Sequence, residues 1–371
     1  MSKVMKIVLI ALLVVVLAVV GLGVYVLTNM RADAVQTVEK PVDLEASDEP
    51  EPIMVVADDP TPTPTQMPIY QEDAKANNIV NILLVGTDSR STADLQNAGG
   101  RSDSMMLASI NTNKGTITLV SFMRDSRVHR IGKSGKFTFY SRLNGAYSGG
   151  YAGGGPGELI NTINENFQLD IQEYVAIGFD GFAAMIDKIG GLDVDCDQAE
   201  INFINDRITG DHIIEPDIVK KAKTIKAEPG VIHLDGVQCL IYARNRHTGF
   251  DGGEGNDFDR VSRQQEIIQL VFEKVTKEFN EQSLLALIAF ATDYVSTNMS
   301  LDTMSDLAKV LLSKDMTFTK TTFPEPGSYK NYVDENNAET DQLEFDIKAA
   351  AAELNTLLYG DSFVPTPTPA Q

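Results

Sequence analysis

Apolar runs that end in arginine and aspartate constrain this chain more than anything else in it. Ile79–Val85 leads into Gly86-Thr87-Asp88, and Thr116–Phe122 leads into Met123-Arg124-Asp125. Leu240–Ala243 delivers Arg244-Asn245-Arg246. Gly100-Arg101-Ser102-Asp103 precedes the run Met105–Ile110, and Asp257 to Gln265 opens an amphipathic stretch. Short apolar runs bounded by turns read as buried strands, and charge at their ends belongs at the edge of a sheet. Convergence of the five ends would make a cationic pocket beside carboxylates, which can hold a metal ion and a pyrophosphate.

The charge balance sharpens this reading. The chain carries 31 Lys+Arg against 52 Asp+Glu, a net charge of −21. Bulk electrostatics therefore argue against nucleic-acid binding. Eleven of the twelve arginines nonetheless fall between Arg90 and Arg263. Lysine serves solubility, whereas the planar guanidinium fork grips phosphate or carboxylate.

Strand and helix patterns alternate. Strands are expected over Ile79–Val85, Met105–Ile110, Thr116–Phe122, Tyr174–Gly178, Leu192–Cys196 and Thr317–Phe323. Helices are expected over Pro156–Phe167, Phe182–Ile189 (stopped by Gly190-Gly191), Gln264–Phe279, Leu284–Tyr294, Met304–Leu312 and Asp341–Tyr359. This order predicts an α/β domain with a central sheet covered on both faces.

The ends differ from the middle. Ile7–Leu27 is apolar and uncharged, and about 20 such residues span a bilayer as a helix. Lys3 and Lys6 before it place the N-terminus in the cytoplasm. A cleaved signal peptide is the competing reading, with Ala32-Asp33-Ala34 a poor cleavage site. The predicted layout is a cytoplasmic tail (1–6), a transmembrane helix (7–27), an acidic Pro-rich stalk (28–78), an extracytoplasmic domain (79–362) and a Pro/Thr tail (363–371).

Cys196 and Cys239 are the only cysteines. Their spacing fits no zinc or redox motif, so a disulfide and two buried thiols stay open. Gly149–Gly157 lacks the lysine and hydroxyl residue of a P-loop; it is either a flexible loop or a helix start whose N–H groups face an anion. The four histidines show no metal spacing and no nucleophile partner, which leaves a hydrolase triad unsupported.

Asp88 and Asp103 are the candidate ligands for a hard cation such as Mg²⁺, which prefers carboxylate oxygens and often bridges to substrate phosphates. Arg124, Arg142, Arg244, Arg246 and Arg260 are candidates to neutralise phosphates and a leaving group. Asp125 either accepts a proton from an incoming hydroxyl or buttresses Arg124. Arg101 and Arg263 either join the phosphate site or pair with acids and hold loops. Gln264, four residues after Arg260, shares its helix face.

The stretches NILLVGTDSR, GRSDSMML, SFMRDSRV, RLNGAYSGG, IDKIGGLDVD, LDGVQCLIYARNR and DFDRVSRQQEII, from about Ile82 to Val275, resemble the LytR-CpsA-Psr family of cell-envelope proteins. The resemblance implies an α-β-α sandwich with an apolar groove for a polyprenyl chain. It implies a membrane-anchored phosphotransferase that takes a glycopolymer from an undecaprenyl-pyrophosphate carrier and links it to peptidoglycan. It further implies Mg²⁺ or Mn²⁺ on Asp88 and Asp103. By motif position, Arg124, Arg142, Arg244, Arg246, Arg260 and Gln264 would line the pyrophosphate site. Arg101 is a further candidate for it, and Arg124, Asp125, Arg244, Arg246 and Arg260 are the candidate catalytic residues. Two features depart from the family pattern. Met123 stands where the family has proline, and His247–Asn256 is long and glycine-rich. A polyprenyl-pyrophosphate hydrolase and a non-catalytic sensor of lipid-linked glycans are the alternative readings.

Overall fold

The computed structural model describes residues 78–89, 95, 100–131, 137–148, 154–209, 222–249, 253–278, 287, 290, 293–299, 316–334, 336 and 338–360. In chain order these form β1 (Ile79–Thr87), β2 (Ser102–Asn111), β3 (Thr116–Phe122), β4 (Arg127–Ile131), β5 (Phe137–Arg142), α1 (Gly155–Phe167), β6 (Glu173–Ile177) and α2 (Phe179–Lys188). Then come β7 (Leu192–Cys196), α3 (Gln198–Thr209), β8 (Gly230–Leu234), α4 (Gly236–Ala243), α5 (Asp257–Glu278), β9 (Val295–Thr297), β10 (Thr317–Phe323), β11 (Lys330–Val333), β12 (Glu339–Glu344) and α6 (Ile347–Tyr359).

Six strands build one mixed sheet in the order β10-β3-β2-β1-β6-β9. β1, β2 and β3 form an antiparallel meander. Its tight turn forms because Asn111 Oδ1 accepts the Asn113 and Lys114 N–H groups and Gly115 supplies a positive φ. β6 adds in parallel to β1, and β10 in parallel to β3. Strand period sorts the apolar residues between two faces. Ile82, Ile110 and Ile117 share a core with Ile186 of α2, Ile241 of α4 and Ile267 of α5. Leu83, Leu107 and Val120 pack with Ile163 of α1 and Leu354 of α6. Helices thus cover both faces, as the alternating pattern predicts.

Several expectations needed correction. Asp341–Tyr359 is not one helix. Glu339–Glu344 pairs with β11, and α6 starts only after Asp346, whose carboxylate accepts the Ala349 N–H. α5 begins at Asp257, a full turn and more before Gln264. The hairpins β4-β5, β7-β8 and β11-β12 lie outside the main sheet, and α3 buries only a narrow stripe around Ile201 and Ile204. Such short or polar elements leave little periodic signal. Most of Leu284–Tyr294 and all of Met304–Leu312 lie outside the described residues, as do Ile7–Leu27, the stalk up to residue 77 and the Pro/Thr tail. Among the described residues, no helix is long and apolar enough to cross a membrane.

Candidate functional site

β1, β3, β6 and β10 run in one direction, so their carboxyl ends share a sheet edge with the start of β2. The first turns of α5 lie against this edge. Gln265 Nε2 donates to Ser121 Oγ at 2.8 Å and to the Thr321 carbonyl at 2.7 Å. Met123, the residue standing in place of the family's proline, is buried with Val261 of α5 and Leu343 of β12. That contact docks the Arg124 segment on the helix.

Asp103 reaches the edge through an irregularity. Gly86 pairs with Ser104 but Thr87 pairs with Ser102, so Asp103 is the extra residue of a β-bulge. Bulges beside sites re-aim a side chain that regular pleating would send elsewhere. Asp103 Oδ1 accepts from Arg124 Nη1 at 2.9 Å. Arg124 also meets Asp125 Oδ2 through Nε at 3.3 Å and Asp257 Oδ1 through Nη2 at 3.5 Å. Arg260 Nη2 donates to Asp257 Oδ2 at 2.7 Å and approaches the Asp103 carbonyl at 3.4 Å. Arg142 Nη1 lies 3.4 Å from Asp125 Oδ1, and its other nitrogen pairs with Asp341. With each oxygen turned to an arginine, Asp125 has the geometry of a buttress.

The electrostatics follow from this crowding. Burial by itself would lower the Arg124 pKa, but Asp257, Asp125 and Asp103 together raise it. Arg260 goes the other way. Burial lowers its pKa most, Asp257 opposes that, and the charges of Arg124 and Arg246 lower it further. Asp103 also raises it, so burial and not a surplus of positive charge leads the shift; a desolvated guanidinium gains more from an incoming anion than a hydrated one. Asp103, Met106, Ser121, Arg124, Arg260 and Gln264 bound a crevice here that is too narrow as it stands to admit water. Gln264 Oε1 and Arg260 Nε are buried in it without a hydrogen-bond partner. Buried polar atoms left unpaired are costly, and the Arg260 Nε donor is one that an entering anion could engage.

The remaining predicted residues lie around this centre. Asp88 Oδ1 accepts the Arg101 N–H at 2.6 Å, closing the loop that enters β2, and the Arg101 residue is exposed. Arg244, at the end of α4, stacks its guanidinium 3.9 Å from the centre of the Phe179 ring. Arg246 is exposed on the turn that follows. Arg263 is not in the pocket. It is fully buried against Glu200 at 2.8 Å. Sequence reasoning missed Asp257, which bridges Arg124 and Arg260, although its position three residues before Arg260 on one helix was a usable signal.

Among the described residues, no cluster of three or more His, Cys, Asp or Glu side chains forms a metal cage. Asp88 and Asp103 each engage one oxygen with an N–H group. Both are hard oxygen donors of the kind a Mg²⁺ ion takes when water and phosphate complete its shell.

A mixed sheet between helix layers, with arginines and carboxylates at the strand ends, is the frame of an anion-handling α/β protein. The LytR_cpsA_psr family profile matches residues 36–351, and the chain belongs to that family. It is 30% identical over 220 residues to the polyisoprenyl-teichoic acid–peptidoglycan teichoic acid transferase TagV of Bacillus subtilis, covering 59% of this chain and 49% of that one. The chain therefore spans about half the length of that relative. A TagU transferase of Oceanobacillus iheyensis is 27% identical over 298 residues, 80% of this chain and 78% of the relative. The structure of YwtF (TagT) of B. subtilis with bound octaprenyl pyrophosphate lipid superposes with a TM-score of 0.51 at 19% identity, over 76% of this chain and 90% of that one. That likeness concerns the fold.

Proposed function

We propose that the protein is a membrane-anchored phosphotransferase that moves a glycopolymer from an undecaprenyl-pyrophosphate carrier to peptidoglycan. A sugar hydroxyl of the acceptor attacks the phosphorus that bears the glycan; the bond from that phosphorus to the bridging oxygen breaks, polyprenyl phosphate leaves with that oxygen, and the hydroxyl proton is lost to water. The observation that carries this reading is the convergence of Arg124 and Arg260 beside Asp103, with the Arg260 Nε donor buried and unpartnered. A pyrophosphate would take over arginine donors that the site's own carboxylates now hold. Arg124, Arg142, Arg244, Arg246 and Arg260 neutralise the two phosphates, while Asp125 keeps Arg124 and Arg142 aligned. Arg101 stands at the entrance beside Asp88. Asp88 and Asp103 would hold Mg²⁺ or Mn²⁺, which would neutralise charge on the leaving phosphate. The relatives named as transferases support the same reaction. The apolar stretch Ile7–Leu27 would anchor the chain, with residues 79–362 outside the membrane.

The test uses the full chain in detergent with Mg²⁺, a polyprenyl-pyrophosphate glycan and a peptidoglycan oligomer, followed by mass spectrometry. A glycan–phosphodiester–peptidoglycan product is expected. Free phosphate ends would mean hydrolysis instead, and tight lipid binding without product would mean a sensor.

A further inference from the structure

We propose that Arg263 is a positioning residue, locked on Glu200 and clamping the turn that presents Arg244 and Arg246. The inference rests on the reading that those two arginines meet the pyrophosphate.

Arg263 has no exposed surface. A guanidinium survives such burial only where its protons are matched. Nε donates to Glu200 Oε1 at 2.8 Å. Nη1 donates to the Asn245 carbonyl at 3.2 Å, and Nη2 to the Thr248 carbonyl at 2.7 Å and Thr248 Oγ1 at 3.1 Å. The fork therefore grips the backbone on either side of Arg246. The turn is also tied within itself. Asn245, fully buried, accepts the His247 and Thr248 N–H groups at 3.0 and 3.3 Å and donates to Thr248 Oγ1 at 2.6 Å.

Glu200 gives the clamp a fixed base. Its other oxygen accepts the Asp197 N–H at 3.1 Å, while its own N–H donates to Asp197 Oδ1 at 2.8 Å. This reciprocal pair holds the start of α3. Arg263 thus ties α3 and the turn to α5, the helix that also carries Arg260 three residues earlier. The spacing between Arg260 and the Arg244/Arg246 turn is set by one buried side chain that touches no substrate. Lysine cannot reproduce it, because an ammonium lacks the planar fork.

The test measures binding of octaprenyl pyrophosphate with Mg²⁺ to the full chain by calorimetry, beside melting curves. Arg263→Lys should weaken binding about 10-fold, since small misplacements of a charged group are amplified. Thr248→Val, which leaves the Arg263–Glu200 pair, should weaken it about 3-fold and also lower the melting temperature, because buried Asn245 Nδ2 loses its acceptor. In an Arg244→Ala/Arg246→Ala background, either change should cost nothing further, because the groups being positioned are gone. A merely structural role predicts equal losses in both backgrounds, and that result overturns the proposal. Wild-type affinity in both Arg263→Lys and Thr248→Val overturns it too. If Arg263→Lys does not fold, Thr248→Val decides alone by the same comparison. If the double alanine variant itself binds like wild type, the pyrophosphate reading of these arginines fails, and the proposal falls with it.

Discussion

Arg124 Nη1 stands 2.9 Å from Asp103 Oδ1, although one follows β3 and the other interrupts β2. Antiparallel pairing brings the end of β3 to the start of β2, and the bulge then turns Asp103 toward it. The pair joins the candidate phosphate site to the candidate metal site.

Arg124→Ala should reduce transfer about 10²- to 10³-fold, the usual cost of losing a preorganised donor to a charged transition state. Asp257→Asn should cost less, because it removes an internal competitor for Arg124 and Arg260 and keeps a hydrogen-bonding side chain. Mass-spectrometric rates of product formation separate the two.

Gly100→Ala should destabilise the fold by about 1–3 kcal/mol, measured by chemical denaturation. Gly100 has φ +91, and a methyl there would stand 2.4 Å from Asp88 Oδ1. The Asp88 carboxylate must then move, and the Mg²⁺ concentration needed for half-maximal transfer should rise.

Glu266→Gln should change how stability depends on pH. Burial, the largest cause, and the charge of Glu200 raise the Glu266 pKa, against the hydrogen bond from Tyr242, which lowers it. The folded protein therefore holds this proton more tightly than the unfolded chain. The stability so gained is present in full below the unfolded value of about 4.5 and is lost as pH rises through the raised folded value. Glutamine keeps an acceptor for Tyr242 and avoids the charge. Its melting temperature relative to wild type should be highest near pH 8 and fall toward about pH 5.

Maleimide should label neither cysteine of the folded protein at about pH 8, since the thiolate is the reactive form. Both cysteines are free and buried. Burial, the leading cause, pushes the Cys196 thiol up to about 12 and the Cys239 thiol well above its ordinary value. Two labels should appear on unfolding without reductant. Their absence would reveal a disulfide.

The seven motifs identified the family, and the apolar runs located all six of the expected strands, because a buried strand needs contiguous apolar residues flanked by turns. Gln264 could be placed beside Arg260 from helix period alone. The hairpin partners of β4, β7 and β12 were not legible, since half-exposed strands of four to six residues carry too few apolar positions to stand out.

The sequence by itself determined which residue types crowd the strand ends, because local pattern decides whether a segment is strand, turn or helix. Only the tertiary structure decided which arginine meets which acid. Arg124 gathers Asp103, Asp125 and Asp257, whereas Arg263, three residues beyond Arg260, turns away to Glu200. Pairings between distant segments depend on a bulge in β2 and on how α5 crosses the sheet. Those are properties of packing, and no spacing along the chain encodes them.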